Sequence, residues 1–219
     1  MSASCLLFLL QLFLPLLLSG AGGSPSASII APPALVYDFY SQHCPPLPQR
    51  GCALSIARGC DCDIADAPFD AVCSVEMIEA VGKDYWPTYF SSVSKLLKPG
   101  GHACIQSIVI DDALFARYVN STDFIQQYIF PGGCLPCPSA FRAQAQAAGL
   151  EVVGEHAFGL DYAETLKRWR DAFLAQRADV LALGFDARFM HIWEFYLCYC
   201  EAAFMESNID VVQYTLRKP

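Results

Sequence analysis

An α/β fold with at least partly parallel strands is predicted by three features of this sequence. Apolar runs of strand length alternate with longer segments of helical spacing. Turn signals separate them. Apolar residues make up 54% of the 219 positions, enough for a sizeable core. The alternation begins near Asp61. FDAVCSV (69–75) is an apolar run of buried-strand type. In YWPTYFSSVSKLLK (85–98) the residues Tyr89, Phe90, Val93, Leu96 and Leu97 recur at helical spacing. KPGG (98–101) stops that helix and turns the chain. HACIQSIVI (102–110) is the next strand, SAFRAQAQAAG (139–149) a helix ending at Gly149, and LEVVGEHAF (150–158) a third strand. Two helices over roughly 162–183 and 186–206 come next, and IDVVQYTLRK (209–218) closes as a strand. Right-handed crossovers gather the C-terminal ends of such strands on one side, where open α/β sheets bind ligands. Val75–Glu79 and Gln106–Ile110 are two such ends.

The first 60 residues have a different character. LLFLLQLFLPLLL is a 13-residue apolar block followed by SGAGGSPSAS. It is short for a membrane span and fits the apolar part of a secretory signal, although MSASC carries no positive charge. Residues 1–23 therefore read as a signal peptide or transient anchor, as a retained anchor, or as a start that is not the natural one. The block points to the secretory pathway or to membrane association. Residues 24–60, with APP at 31–33 and CPPLP at 44–48, read as a Pro- and Cys-rich linker or irregular segment.

Fourteen Lys and Arg against 22 Asp and Glu give a net charge of −8, which argues against a nucleic-acid partner. Of the 11 Cys, Cys134 and Cys137 form CLPC, a spacing compatible with redox or metal chemistry. Cys60 and Cys62 are too close to supply the second pair of an ordinary zinc site, so no metal is expected. Cys73, Cys104, Cys198 and Cys200 fall in apolar runs and read as small core residues.

CSVEMIEAVG (73–82) carries Glu76 and Glu79 one helical turn apart at a strand's end. Solvated residues at a helix start are the ordinary reading of such acids. Together with YWPTYF, LLKPGG, DFIQQYIFPGGCLP, FGLDYAETLKRWR and IDVVQYTLRK, however, this stretch resembles the cyclopropane-fatty-acyl-phospholipid synthases over about residues 61–219. LLKPGG is common among methyltransferases; YIFPGGCLP and FGLDYAETL are far more specific.

The resemblance implies a Rossmann-like class I methyltransferase sheet. It implies S-adenosylmethionine as cofactor and unsaturated phospholipid acyl chains as partners, met through peripheral membrane contact. A methyl passes to the alkene, and the carbocation loses a proton, with a bound bicarbonate as base, and closes a cyclopropane ring. Close relatives methylate only. By motif match, Glu79 is the active-site glutamate, Tyr162 the tyrosine that bonds the bicarbonate, and Ile108 the residue whose backbone contacts it. Gln106 stands where some members have a proton-transferring His, and an amide does not titrate. Val75 matches a cofactor-wall position, and Asp61 and Asp63 fall in the segment near the adenine, where the ordinary reading is a polar loop. The aromatic run WEFYLCYCEAAF (193–204) reads as core packing ahead of a lipid tunnel wall. His43, His102, His156 and His191 match no catalytic motif.

The glycine loop of the form E-x-G-x-G-x-G that family members place after the first strand has no counterpart in 1–60. The expectation is an incomplete sheet, lacking its first strands and Gly-rich loop in a truncated chain with a remodelled N-terminus, and with FDAVCSV as an unpaired edge. Three functions compete: the synthase-like enzyme, a non-enzymatic remnant or lipid-binding protein of the same family, and a secreted cysteine-rich binding protein. Composition and motifs leave the acyl chain, the disulfide state and the oligomeric state open.

Overall fold

The computed structural model describes residues 68–219, so the signal-like block, the Pro- and Cys-rich segment, Asp61 and Asp63 lie outside the described residues. Four strands form one sheet in the order β1-β2-β4-β3: β1 Phe69–Val75, β2 Leu97–Ile110, β3 Glu151–Ala157 and β4 Ile209–Arg217. β1 and β2 are parallel, and β4 runs antiparallel between β2 and β3. Three strands thus point their C-terminal ends the same way, and the last strand of the chain inserts against them. Among the described residues β1 pairs only with β2, which leaves it at the sheet's edge, as the sequence predicts.

The helices are α1 Ile78–Val81, α2 Trp86–Leu96, α3 Asp112–Tyr118, α4 Pro138–Ala147, α5 Gly159–Ala175, α6 Arg177–Ala182 and α7 Ala187–Met205. Period-two alternation sends side chains of each strand to opposite faces. Ala103, Ile105 and Val109 of β2 and Val212, Tyr214 and Leu216 of β4 join a core with Trp86, Phe90 and Val93 of α2 and Phe141 of α4. Phe141 stacks on Tyr214 with centroids 3.8 Å apart and meets Phe90 edge-on at 5.0 Å. Ile108 and Val211 face the other way, into a second core with Ala163 and Leu166 of α5 and Leu197 and Phe204 of α7.

Several predicted boundaries move. β2 begins at Leu97 rather than His102, because KPGG is a bulge inside the strand: the pairing jumps from Phe69↔Leu97 to Ala71↔His102. A Cβ on Gly101 would lie 2.9 Å from the Lys98 carbonyl and 3.0 Å from that of Asp70, so only glycine fits the crossing. Lys218 donates from Nζ to the carbonyls of Ser94 and Leu97, at 2.7 and 2.8 Å, and closes the end of α2. The predicted helix over 162–183 starts earlier, at Gly159, and breaks at Gln176 into α5 and α6. The early start has a tertiary cause. Asp210 on β4 accepts the Gly159 N–H at 2.7 Å and caps the helix from 51 residues away. α3 and a π-helical turn at Ile125–Ile129 were not predicted, because neither has a periodic apolar face.

Candidate active site at the sheet end

β1 ends at Val75, whose register partner on β2 is Gln106. The next residue, Glu76, has a left-handed backbone (φ 49°), unusual for a non-glycine residue and costly enough that its surroundings must enforce it. Its N–H still donates to the Gln106 carbonyl at 2.9 Å, so the kink turns the side chain without breaking the ladder. The Glu76 carboxylate accepts the Gln106 amide at 2.8 Å and the Tyr162 hydroxyl at 3.0 Å to Oε1 and 3.1 Å to Oε2. Gln213 on β4 donates to Gln106 Oε1 at 2.9 Å. That bond fixes which way the Gln106 amide faces and so turns its NH₂ onto Glu76.

Glu79 lies in α1. Its Oε1 accepts the Ile108 N–H at 2.5 Å and the Ser107 hydroxyl at 3.0 Å. Its Oε2 is buried and has no partner. The backbone of Glu79 is held from the far side: the PGG loop brings the Cys134 N–H onto the Glu79 carbonyl at 2.9 Å. In the same contact a Cβ on Gly82 would sit 3.3 Å from the Gly132 carbonyl. The YIFPGGCLP motif thus clamps the turn that carries Glu79.

No Lys, Arg or His forms an ion pair with Glu76 or Glu79 among the described residues. Burial pushes the Glu79 carboxyl up to about 8, helped by the negative charge of Glu76. Burial also raises Glu76, against the pull of its bonds to Gln106 and Tyr162. Burial and the nearby Glu76 charge hold Tyr162 well above the ordinary tyrosine range. The Tyr162 ring packs 5.2 Å from Phe204 and 6.1 Å from Trp169.

The structure brings Glu79 and Ile108 into direct contact, and Gln106 and Tyr162 onto Glu76. Val75 lies beside Gln106 at the mouth of β1. Glu76 is therefore the hub of the group, although its motif alone leaves it an ordinary helix-start acid. Ser107 and Gln213 are further members that motif reading missed. The PGG clamp was visible in YIFPGGCLP, but its contact with Glu79 spans 55 positions. The aromatic run divides: Trp193, Tyr196, Cys200 and Phe204 pack inward, whereas Phe195 and Tyr199 are 50% and 39% exposed. Cys134 and Cys137 are buried, and among the described residues no cluster of His, Cys, Asp and Glu could hold a metal.

The chain's similarity to known proteins meets this geometry. The family described as mycolic acid cyclopropane synthetase matches residues 58–214. Tuberculostearic acid methyltransferase UfaA1 of Mycobacterium tuberculosis is 42% identical over 158 residues, covering 72% of this chain and 37% of that protein. Cyclopropane-fatty-acyl-phospholipid synthase of Escherichia coli is 36% identical over 147 residues, covering 66% and 36%. Among solved structures, cyclopropane synthase MmaA2 from Mycobacterium tuberculosis superposes with a TM-score of 0.63 at 26% identity, over 69% of this chain and 56% of that one. Mycolic acid cyclopropane synthase CmaA1 complexed with SAH and CTAB gives 0.63 at 28% identity, over 70% and 56%. The chain thus spans a little over a third of the length of these curated relatives.

Proposed function

The chain belongs to the family described as mycolic acid cyclopropane synthetases, and on that premise we propose that it serves S-adenosylmethionine-dependent transfer of a methyl or methylene group to unsaturated acyl chains of phospholipids. The observation that carries this reading is the pair of glutamates, enclosed at the C-terminal strand ends and paired with no cation among the described residues. Buried negative charge without a protein partner is costly, and a cationic ligand offsets that cost. A sulfonium centre and a carbocation-like transition state are both of that kind, so the residues present fit S-adenosylmethionine.

S-adenosylmethionine supplies the electrophilic methyl when bound. The chain's own residues orient and exclude water. Ile108 and Ser107 hold Glu79; Gln106 and Tyr162 hold Glu76; Val75 forms cofactor wall; Asp61 and Asp63 are carried over as cofactor contacts. Bicarbonate fits poorly. The Tyr162 hydroxyl, Gln106 amide and Ile108 N–H are all committed to the two glutamates, and Glu76 adds negative charge beside Glu79 Oε2.

Peripheral membrane contact belongs to the same reading. Phe124 packs edge-on against Phe195 at 4.6 Å and near Tyr128 at 5.4 Å, and with exposed Tyr128, Phe195 and Tyr199 it forms an aromatic ridge. Such rings suit a lipid interface. Among the described residues no helix is long and apolar enough to cross a membrane.

The test is product mass. Protein incubated with S-adenosylmethionine and vesicles of an unsaturated phospholipid is expected to add one CH₂ unit to the acyl chain. Unchanged lipid alongside a folded protein would count against the reading and favour a lipid-binding remnant.

A further inference from the structure

Three observations converge on Glu76 as more than a neighbour of the matched glutamate. The first is its conformation: φ 49° on a residue with a long side chain has to be enforced by its surroundings, and what it achieves is to aim the carboxylate at α5. The second is its donor set. Two donors from separate elements, the Tyr162 hydroxyl and the Gln106 amide, converge on its oxygens, and Gln213 locks the amide in the donating orientation. The third is its partner. Glu79 Oε2 is buried and has no hydrogen-bond partner, which costs an anionic oxygen more than a neutral one. Each carboxyl accepts two donors, but both oxygens of Glu76 are bonded whereas one oxygen of Glu79 is bare, so of two nearby buried carboxyls Glu76 ionises and Glu79 stays neutral.

We propose that Glu76 is the terminal proton acceptor of the methylene-transfer reaction, reached through the hydroxyl of Tyr162, with Glu79 as the neutral partner that keeps Glu76 ionised. The inference rests on the proposed function above. In the ring-closing step a C–H bond of the transferred methyl breaks and its electron pair forms the last C–C bond of the ring. The proton goes to the Tyr162 oxygen, and the Tyr162 hydroxyl proton passes along its existing bond to Glu76. Tyrosine is left neutral, Glu76 is protonated, and the proton leaves to water with the product. This route needs no separate base.

The surroundings agree. Glu79 faces Glu76 at the end of β1, Tyr89 from α2 and Tyr162 from α5. Tyr196 of α7 faces Glu76, and His156 lies opposite Gln213 on β3. Tyr162 is set by the Asp210 cap on α5, which fixes the first turn of the helix three residues before it.

The test follows ring-closed lipid and S-adenosylhomocysteine in parallel, for wild type, Glu76→Gln, Tyr162→Phe and the double variant. Glutamine keeps an acceptor for Tyr162 but cannot take the proton. Ring-closed product is expected to fall about 10²-fold in each single variant, more than S-adenosylhomocysteine falls, with little further loss in the double variant. Equal loss of both products would mark Glu76 as structural and overturn the proposal, as would multiplicative losses. A side-chain carboxyl NMR titration decides the pair's protonation even if the wild type forms no product, an outcome that counts against the proposed reaction itself. The late-titrating carboxyl is expected to vanish in Glu79→Gln and to move to lower pH in Glu76→Gln. Its disappearance in Glu76→Gln instead would overturn the assignment.

Discussion

Acids in two parts of this fold are treated in opposite ways. Glu201 on α7 pairs with Arg170 on α5, with side chains 17% and 20% exposed, and Arg170 also donates to Cys198 at 3.3 Å. Glu76 and Glu79, at the end of β1 and on α1, receive hydroxyls, an amide and a backbone N–H, and among the described residues no cation. The first arrangement neutralises charge and ties two helices together. The second, with Glu79 neutral, keeps the charge of Glu76 available. A fold that can supply an arginine to one buried acid, and supplies none to two others, reserves those two for a positively charged ligand.

The contrast is broken most directly by removing one charged or titratable group from each place. The Glu79 carboxyl sits at about 8 in the folded chain, against an ordinary value of 4.5. Its contribution to stability is therefore complete below the ordinary value and is lost as pH rises to about 8, by on the order of 1.4 kcal/mol per pH unit. Glu79→Gln is expected to remove that slope, so its melting temperature should exceed that of wild type increasingly between about pH 5 and pH 8, by about 2–4 °C per kcal/mol. A parallel pair of pH curves would show Glu79 ionised throughout. Arg170→Met has the opposite sign. It leaves Glu201 uncompensated and is expected to cost about 1–3 kcal/mol by denaturant unfolding. Replacing both partners with apolar residues should recover most of that loss, and failure to recover would mean the pair does more than neutralise charge.

Smaller effects sharpen the comparison. Glu76→Gly removes both the charge and the left-handed strain, so the folded state should gain about 1 kcal/mol in chemical denaturation. A loss of stability would show that the Glu76 bonds to Tyr162 and Gln106 outweigh the backbone. Phe195→Ser, on the exposed aromatic ridge, should leave stability within about 0.5 kcal/mol while lowering the fraction that floats with phospholipid vesicles. Unchanged flotation would remove the ridge from membrane contact.

Much of this was legible in the sequence where the causes are local. FDAVCSV is a strand because all of its seven residues but the exposed Asp70 are apolar or small and leave it nowhere to face but inward and along the sheet edge. The helices around Phe90 and Phe141 announce themselves by spacing. The site was legible only through motifs. Nothing near Glu76 signals that a tyrosine 86 positions away will bond it, or that Gln213 will orient Gln106 from 107 positions away. The cap that starts α5 at Gly159 is likewise a tertiary contact, invisible to any local rule. KPGG reads locally as a turn, and only the parallel pairing of β1 with β2 makes it a bulge.

The central claim, that the uncompensated glutamates serve a cation, is tested most directly by calorimetry with two ligands that differ in charge. The wild type is expected to bind S-adenosylmethionine with a dissociation constant below ~1 mM. Glu76→Gln should weaken that binding about tenfold more than it weakens binding of the neutral S-adenosylhomocysteine. No binding at millimolar cofactor, or an equal loss for both ligands, would contradict it.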